Sequence, residues 1–480
     1  MRLSLSLLMA GALVLGTMAC SSSDTKEQQD VAPTTDVTQP EDGTTGTDAT
    51  SDLLEETNVP DNQDDIDAPP PIQPHVETVD QYSIVYLSGT PYEMGFQQGE
   101  LLHDIVADAM EFVKNDAMLS SIPMIAEEMG IIDIAMENSY PDLVAECQGL
   151  VDATSDVGFT MDFCLVLNFG DVMLEMVENG MPEEDIEGPG CSGAIVAGDA
   201  TVDGHLLHSR NLDWGSMNID IIHQHPVIFV RQPEGGIPHV YIGFPLNLSP
   251  YTGMNVAGIA IGSQEAEPAS TAEMALTGRS HVQMLGEMLK SASSLDEARD
   301  FINSQKHMSA EILVVSDGNA QTGAVFEMTA TGIGERDLEG GVAYATNHFI
   351  HPDMKLKQAV PSAGSVSRLM RFSQLLDPDG EDSLYGELDL TKLAAVMRDP
   401  IDPAAPEELS YEELEAANWD IDGALGLNGP MHFVIFDPEK HLFWVNAGVL
   451  PLYKQPYRCF SLEELLGYPD ATPCTPETIP

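Results

Sequence analysis

Basic side chains are scarce. Lys and Arg number 19 against 78 Asp and Glu in 480 residues, a formal net charge of -59. A field of that sign repels phosphate backbones and anionic headgroups, which excludes nucleic acid and a bare membrane surface as partners. Internal repeats are absent. The six cysteines, Cys20, Cys147, Cys164, Cys191, Cys459 and Cys474, show no zinc-ligand spacing, so no metal is expected. What remains is 43% hydrophobic content, enough for a real core in one large or two ordinary domains.

The N-terminus reads as an export signal. Arg2 precedes the apolar run "LSLLMAGALVLG" and then "TMAC". The run is too short for a comfortable membrane span. "CSSSD" resembles the start of a bacterial lipoprotein, so residues 1–20 are expected to form the signal region, with Cys20 lipidated. Membrane contact is then expected only through that anchor, in the periplasm or at the outer membrane or cell surface; plain secretion is the alternative. Residues 21–76 are rich in Asp, Thr and Pro with almost nothing apolar. Such a segment cannot bury enough surface to fold and reads as a solvated tether. An exported chain permits disulfides. With Cys20 lipidated five cysteines remain, so one is a free thiol. Cys459 and Cys474 lie close enough in sequence to bridge, and Cys147 and Cys164 either pair or lie buried on helices.

Residues 77–190 open with a strand, "YSIVYLSG", and continue with apolar residues at helical spacing, among them Leu101, Leu102, Ile105, Val106 and Met110. From residue 191 to 480 short strand-like runs alternate with Gly, Asp and Pro, interrupted by a helix pair in which Ser294 is the N-cap of "LDEARDFI". The fold class is α+β, sheets covered by helices.

The densest chemistry lies in "GPGCSGAIVAGDATVDGHLLHSRNLDW". Asp203–Gly204 signals a tight hairpin. A two-residue turn there sets Cys191 opposite residue 216, and a longer loop moves that register by a few residues. Either way Cys191 comes near Arg210, Asn211 and Asp213. Arg210 and Asp213 have opposite parity, so one of them must lie at a bulge or at the strand end. The thiolate is the reactive form of cysteine, and a nearby guanidinium stabilises it. If the chain is cut between Gly190 and Cys191, the freed α-amine, with a pKa of about 7.7–8.0, can take the thiol proton. Gly190 leaves its carbonyl open to the sulfur. The competing reading is a packing cysteine at a strand start.

These residues carry a resemblance. The chain resembles the autoprocessing cysteine amidases of the N-terminal nucleophile (Ntn) hydrolases, the C45-type isopenicillin N acyltransferase group, and is similar to bile salt hydrolases, penicillin V acylases and acid ceramidase. "GTPYEMGFQQGELL" resembles the family's opening motif, "GCSGAIVAGDATVDGHLLHSRNLDW" its nucleophile motif and "GMNVAGIAI" a shared strand pair. "TNHF" resembles an oxyanion turn and "SVSRLMRF" an arginine motif. The resemblance implies a four-layer αββα sandwich of two antiparallel sheets, cleavage before Cys191, and two pieces that stay associated. It implies Cys191 as nucleophile, Asn347 as oxyanion donor, Arg210 and Asp213 as orienting groups and Arg368 as the second arginine of the site, with Arg371 a lower-ranked rival. His208 and His348 read as structural, since the mechanism needs no imidazole. No organic cofactor is implied.

The expected function is acyl transfer from small N-acyl amides through an acyl-enzyme on Cys191, to water or to an amine. A short-peptide or cell-wall-fragment amidase is the enzymatic alternative. A silent binding lipoprotein on the same fold is the non-enzymatic one. A homodimer is compatible with the sequence.

Overall fold

The computed structural model describes residues 69–116, 119–169, 190–213, 224–405, 421–426 and 430–480. The signal region, Cys20, most of the tether and Trp214 lie outside the described residues. The expected tether, 21–76, overruns the folded body. Gln232 Nε2 donates to the carbonyls of Pro69 and Pro70, and Ile72 N–H donates to Gln232 Oε1 at 2.9 Å. The first strand, β1, then begins at His75 (His75–Val79).

β2 is Tyr82–Gly89, and its sequence buries side chains on both faces, so it lacks the clean alternation of a half-exposed strand. It leads into α1 (Pro91–Leu101) and α2 (His103–Asn115). α1 starts at a capping box formed by Thr90 and Glu93, with Pro91 in the first turn. α3 (Ile122–Glu128), α4 (Ile131–Asn138), α5 (Pro141–Ala153) and α6 (Met161–Asn168) complete the helical stretch. The glycine in "YEMG" has a packing reason: a Cβ on Gly95 would sit 1.9 Å from the Glu146 carbonyl oxygen on α5, and one on Gly149 would sit 2.1 Å from the Tyr92 carbonyl oxygen. Only glycine lets α1 and α5 approach this closely.

The remaining elements are β3 (Ser192–Gly198), β4 (Gly204–Asp213), β5 (Val227–Pro233), β6 (His239–Gly243), β7 (Thr252–Asn255) and β8 (Ile259–Glu265), then α7 (His281–Ser291) and α8 (Leu295–Ser304). Ser294 caps α8 as its sequence requires, accepting from Glu297 N–H. β9 (Glu311–Asp317), β10 (Thr322–Thr329), β11 (Gly332–Asp337) and β12 (Val342–Ala345) follow, then α9 (Ala363–Leu376) and α10 (Leu390–Met397). β13 (Pro430–Asp437), β14 (Leu442–Ala447), β15 (Tyr457–Ser461), α11 (Leu462–Leu466) and β16 (Thr478–Ile479) end the chain.

The strands form two sheets, ordered β1-β2-β5-β6-β7-β8-β9-β10-β11 and β12-β3-β4-β13-β14-β15-β16. Among the described residues all strand pairings are antiparallel except β2 with β5, which is parallel. The expected sandwich of two antiparallel sheets holds, with this one parallel pair in the larger sheet. β1 and β2 also give residues 77–190 a share in the larger sheet, so this stretch is not helical alone.

Alternation along β3 shows the layers. Ile195 and Ala197 pack with Ile312, Val314 and Val325 of the facing sheet, whereas Ala194 and Val196 pack with Phe372 of α9 and Leu393 of α10. On the far side of the larger sheet, Val85, Phe229 and Leu313 meet Met94, Leu102 and Leu285 from the helices. The architecture is therefore α+β in four layers, helix–sheet–sheet–helix. Among the described residues two disulfides are present, Cys147–Cys164 between α5 and α6, and Cys459–Cys474, and Cys191 is a free thiol.

Burial holds several imidazoles neutral. His208 and His239 are pushed down to about 3, His307 and His348 to about 4, and His432 well below its usual value. The unfolded chain takes up protons on these groups below a pH of about 6.5, while the folded chain does not. Stability is therefore full above that pH and falls as the pH drops. Carboxylates of ordinary pKa stay mostly ionised at about pH 5, so the histidines dominate this window. The urea midpoint is expected to fall from pH 7 to about pH 5. A midpoint that holds steady or rises would contradict the burial of neutral histidines.

Candidate active site

Cys191 immediately precedes β3 and is 3% exposed. The β3–β4 hairpin pairs Ser192 with Asn211 and Gly193 with Arg210. The turn is not the two-residue Asp203–Gly204 turn. A longer loop runs between Gly198 and Gly204, both at positive φ, and is pinned by a bridge from Thr201 to Leu388. The register moves toward the turn accordingly, and the sequence-based pairing of Cys191 with residue 216 is corrected.

Arg210 is fully buried between the sheets. Its Nη2 donates to Cys191 Sγ at 3.2 Å and to the Ser263 carbonyl on β8. Gly262 makes room for this crossing, while Gly193 lies against the Gln264 side chain. A Cβ on Gly262 would lie 2.9 Å from Arg210 Cδ, and one on Gly193 would lie 2.5 Å from the amide nitrogen of Gln264. A guanidinium at this distance stabilises negative charge on the sulfur.

Asp213 is the last residue of β4 and is buried. Its carbonyl accepts from the Cys191 thiol at 3.5 Å. The parity conflict with Arg210 is resolved at the strand end. The partner strand β13 carries the irregularity, between Pro430 and His432, opposite Asp213 and Leu212. Arg210 faces the interior between the sheets, and the Asp213 charge acts on Arg368.

Arg368 projects from α9 and is 1% exposed. Nη1 donates to the Cys191 carbonyl at 2.6 Å and to Ser192 Oγ at 2.9 Å; Nε donates to the Asp422 carbonyl at 2.9 Å. Nη2 donates to Asn347 Oδ1 at 3.0 Å. Burial lowers its pKa, and the negative charge available on Asp422, Asp213 and Cys191 acts against that shift. Arg371, one turn on, is committed elsewhere, paired with Asp399 at 2.9 Å and Asp382 at 2.7 Å.

Asn347 follows β12. Its backbone N–H donates to Ser365 Oγ at 2.9 Å, and Nδ2 donates to the Glu265 carbonyl at 2.9 Å. His348 shares Ser365 Oγ at 2.7 Å, and Glu327 accepts from the backbone N–H groups of Ile350 and His351. The turn is held from three directions, with an amide that carries a second N–H beside the Cys191–Arg368 contact. His208 meets Ser316 Oγ at 2.8 Å. Both histidines serve packing and hydrogen bonding, as their sequence positions suggest.

Cys191, Arg210, Asp213, Asn347 and Arg368 are therefore brought together, with Gly190 buried beside them. An apolar wall of Leu212, Phe244, Tyr251, Val282 and Met431 packs against Cys191. Sequence reasoning does not single out Ser192, Asp422 or the carbonyls of Ser263 and Glu265. Backbone acceptors leave no trace in residue identity, so only the Gly262 that makes space for Arg210 signals them. Among the described residues no group of His, Cys, Asp and Glu is arranged to hold a metal.

Residues 202–390 match the model of a family described as acyl-coenzyme A:6-aminopenicillanic acid acyl-transferase. An uncharacterized protein of Archaeoglobus fulgidus is 25% identical over 347 residues, covering 64% of this chain and 56% of that protein. The chain thus spans little more than half the length of that relative. Among solved structures, a Caenorhabditis elegans N-acylethanolamine-hydrolyzing acid amidase ortholog is 12% identical, with a TM-score of 0.33, over 56% of this chain and 99% of that one. A conjugated bile acid hydrolase from Clostridium perfringens is 15% identical, with a TM-score of 0.32, over 57% and 93%. Likeness at that level carries no functional weight.

Replacing Arg210 by Leu is expected to slow iodoacetamide alkylation of Cys191 at neutral pH by about tenfold. Arg371→Leu should leave that rate alone and lower stability by about 1–3 kcal/mol, discounted for its exposed Asp382 partner. Equal alkylation rates in wild type and Arg210→Leu would contradict the contact at the sulfur.

Proposed function

We propose that this chain, whose residues 202–390 match the model of the acyl-coenzyme A:6-aminopenicillanic acid acyl-transferase family, is a self-cleaving cysteine amidase or acyltransferase acting on small N-acyl amides. The observation that carries the reading is a free thiol between two buried guanidinium groups. Arg210 lies at 3.2 Å from its sulfur and Arg368 at 2.6 Å from its carbonyl oxygen.

Maturation begins when Cys191 sulfur attacks the Gly190 carbonyl. The Gly190–Cys191 C–N bond breaks as a thioester forms, and water then releases Gly190 as a carboxylate. Cys191 is left with a free thiol and a free α-amine. That amine takes the thiol proton as the sulfur attacks a substrate carbonyl, and returns it to the departing amine nitrogen. Asn347 and a backbone N–H hold the oxyanion; one such donor is typically worth about 3–4 kcal/mol in the transition state. Water, or an amine, then attacks the acyl-enzyme and frees the thiol. The apolar wall beside Cys191 favours an apolar acyl group. The β2–β5 pairing gives the two pieces one continuous sheet, which supports their staying together after the cut.

The proposal extends to a location outside the cytoplasm. Two disulfides support an oxidising compartment, and the "TMAC" signal supports lipid anchoring at Cys20.

Intact-mass measurement should show two chains separating at Gly190–Cys191 in the wild type and one chain in Cys191→Ala. Asn347→Ala should lower kcat about 10²–10³-fold with the thiol still present. A wild-type protein that stays one chain and never reacts with thiol reagents would remove the mechanism.

A further inference from the structure

Phe244 and Tyr251, two members of the apolar wall beside Cys191, bracket the loop that joins β6 to β7. This loop is not part of a sheet ladder, and buried backbone N–H groups need acceptors from somewhere. Asn247 N–H finds the Phe244 carbonyl within the loop, and further partners come from the helices N-terminal to Gly190. Asn168, at the end of α6 and fully buried, accepts through Oδ1 from Leu248 N–H at 2.8 Å and Ser249 N–H at 3.2 Å. Gln98 on α1, also fully buried, donates from Nε2 to the carbonyls of Pro245 at 2.9 Å and Asn247 at 3.3 Å.

Asn168 is fixed in turn. Its Nδ2 donates to the Cys164 carbonyl at 2.9 Å, and its own carbonyl accepts from Gln283 Nε2 at 3.0 Å. Gln283 adjoins Val282, another member of the wall. Cys164 is bonded to Cys147, so the disulfide clamps α6 to α5 about one helical turn before Asn168.

We infer that Asn168 and Gln98 are specificity-determining positioning residues, through which the chain preceding Gly190 sets the acyl group that Cys191 accepts. The inference rests on the acyl-enzyme reading of Cys191. Neither side chain is needed for the thiol chemistry. Each fixes the backbone that carries Phe244 and Tyr251, and a close-packed apolar wall discriminates acyl length only while its backbone is fixed. Removing Asn168 leaves two buried N–H groups without their acceptor, which drives the loop to relax.

The test is a set of p-nitroanilides of acetic, hexanoic and decanoic acids, with iodoacetamide labelling of Cys191 run in parallel. Asn168→Ala is expected to lower the ratio of kcat/KM for decanoyl over acetyl by about tenfold, through KM, with the labelling rate held within about twofold. Gln98→Leu should shift the ratio in the same direction. It stands in if Asn168→Ala fails to fold, as does the Cys147→Ser/Cys164→Ser pair, which loosens α6. An unchanged ratio in the folded variants, or equal losses on all three anilides, would overturn the inference while leaving the nucleophile reading intact. A wild type that neither labels at Cys191 nor hydrolyses any anilide would overturn both.

Discussion

Arg210 places a guanidinium with no exposure between two β-sheets, and a charge there is tolerable only where the surroundings are shaped for it. Gly262 gives its stem a surface to lie on, the Ser263 carbonyl accepts from Nη2, and the same nitrogen reaches Cys191 Sγ. The sulfur therefore has a structural task as well as a chemical one: it is part of what makes the buried cation acceptable. Arg368 repeats the device from the outer face of the smaller sheet, joining Cys191, Ser192, Asn347 and Asp422. The proposed nucleophile, second arginine and oxyanion turn become one network through these two buried guanidinium groups.

That network lies in the chain from Cys191 onward. The β3–β4 hairpin supplies Cys191 and Arg210, β8 supplies the Ser263 carbonyl, and α9 supplies Arg368. The helices before Gly190 bond instead to the loop that carries the apolar wall, through Asn168 and Gln98. β2 ties that half into the larger sheet through its parallel pairing with β5. On the proposed reading, the division of labour is chemistry from Cys191 onward and shape before Gly190.

Much of this is legible in the sequence. β2 lies at Tyr82–Gly89 as its apolar run indicates, Ser294 caps its helix, and Cys459–Cys474 bridge. β11 escapes because "GIGERD" is a half-exposed, polar outer strand, while β7, where "TGMN" is too short to carry a period, is reached only through the resemblance of "GMNVAGIAI" to a strand pair. The hairpin register escapes for a long-range reason: Thr201 and Leu388 close the loop from far along the chain. Arg368 and Arg371 lie one turn apart on one helix, and spacing cannot say which meets the nucleophile. The acidic partners of Arg371, Asp382 and Asp399, come from segments that only the fold brings near.

The central claim is that Cys191 carries the acyl group as an N-terminal residue. Acid-quenching the protein during turnover of an N-acyl anilide and mapping its peptides by tandem mass spectrometry tests this directly. The account predicts a peptide that begins at Cys191 and bears the acyl group as a thioester on its sulfur. An acyl group on any other residue, or an unmodified Cys191 still joined to Gly190, would contradict it.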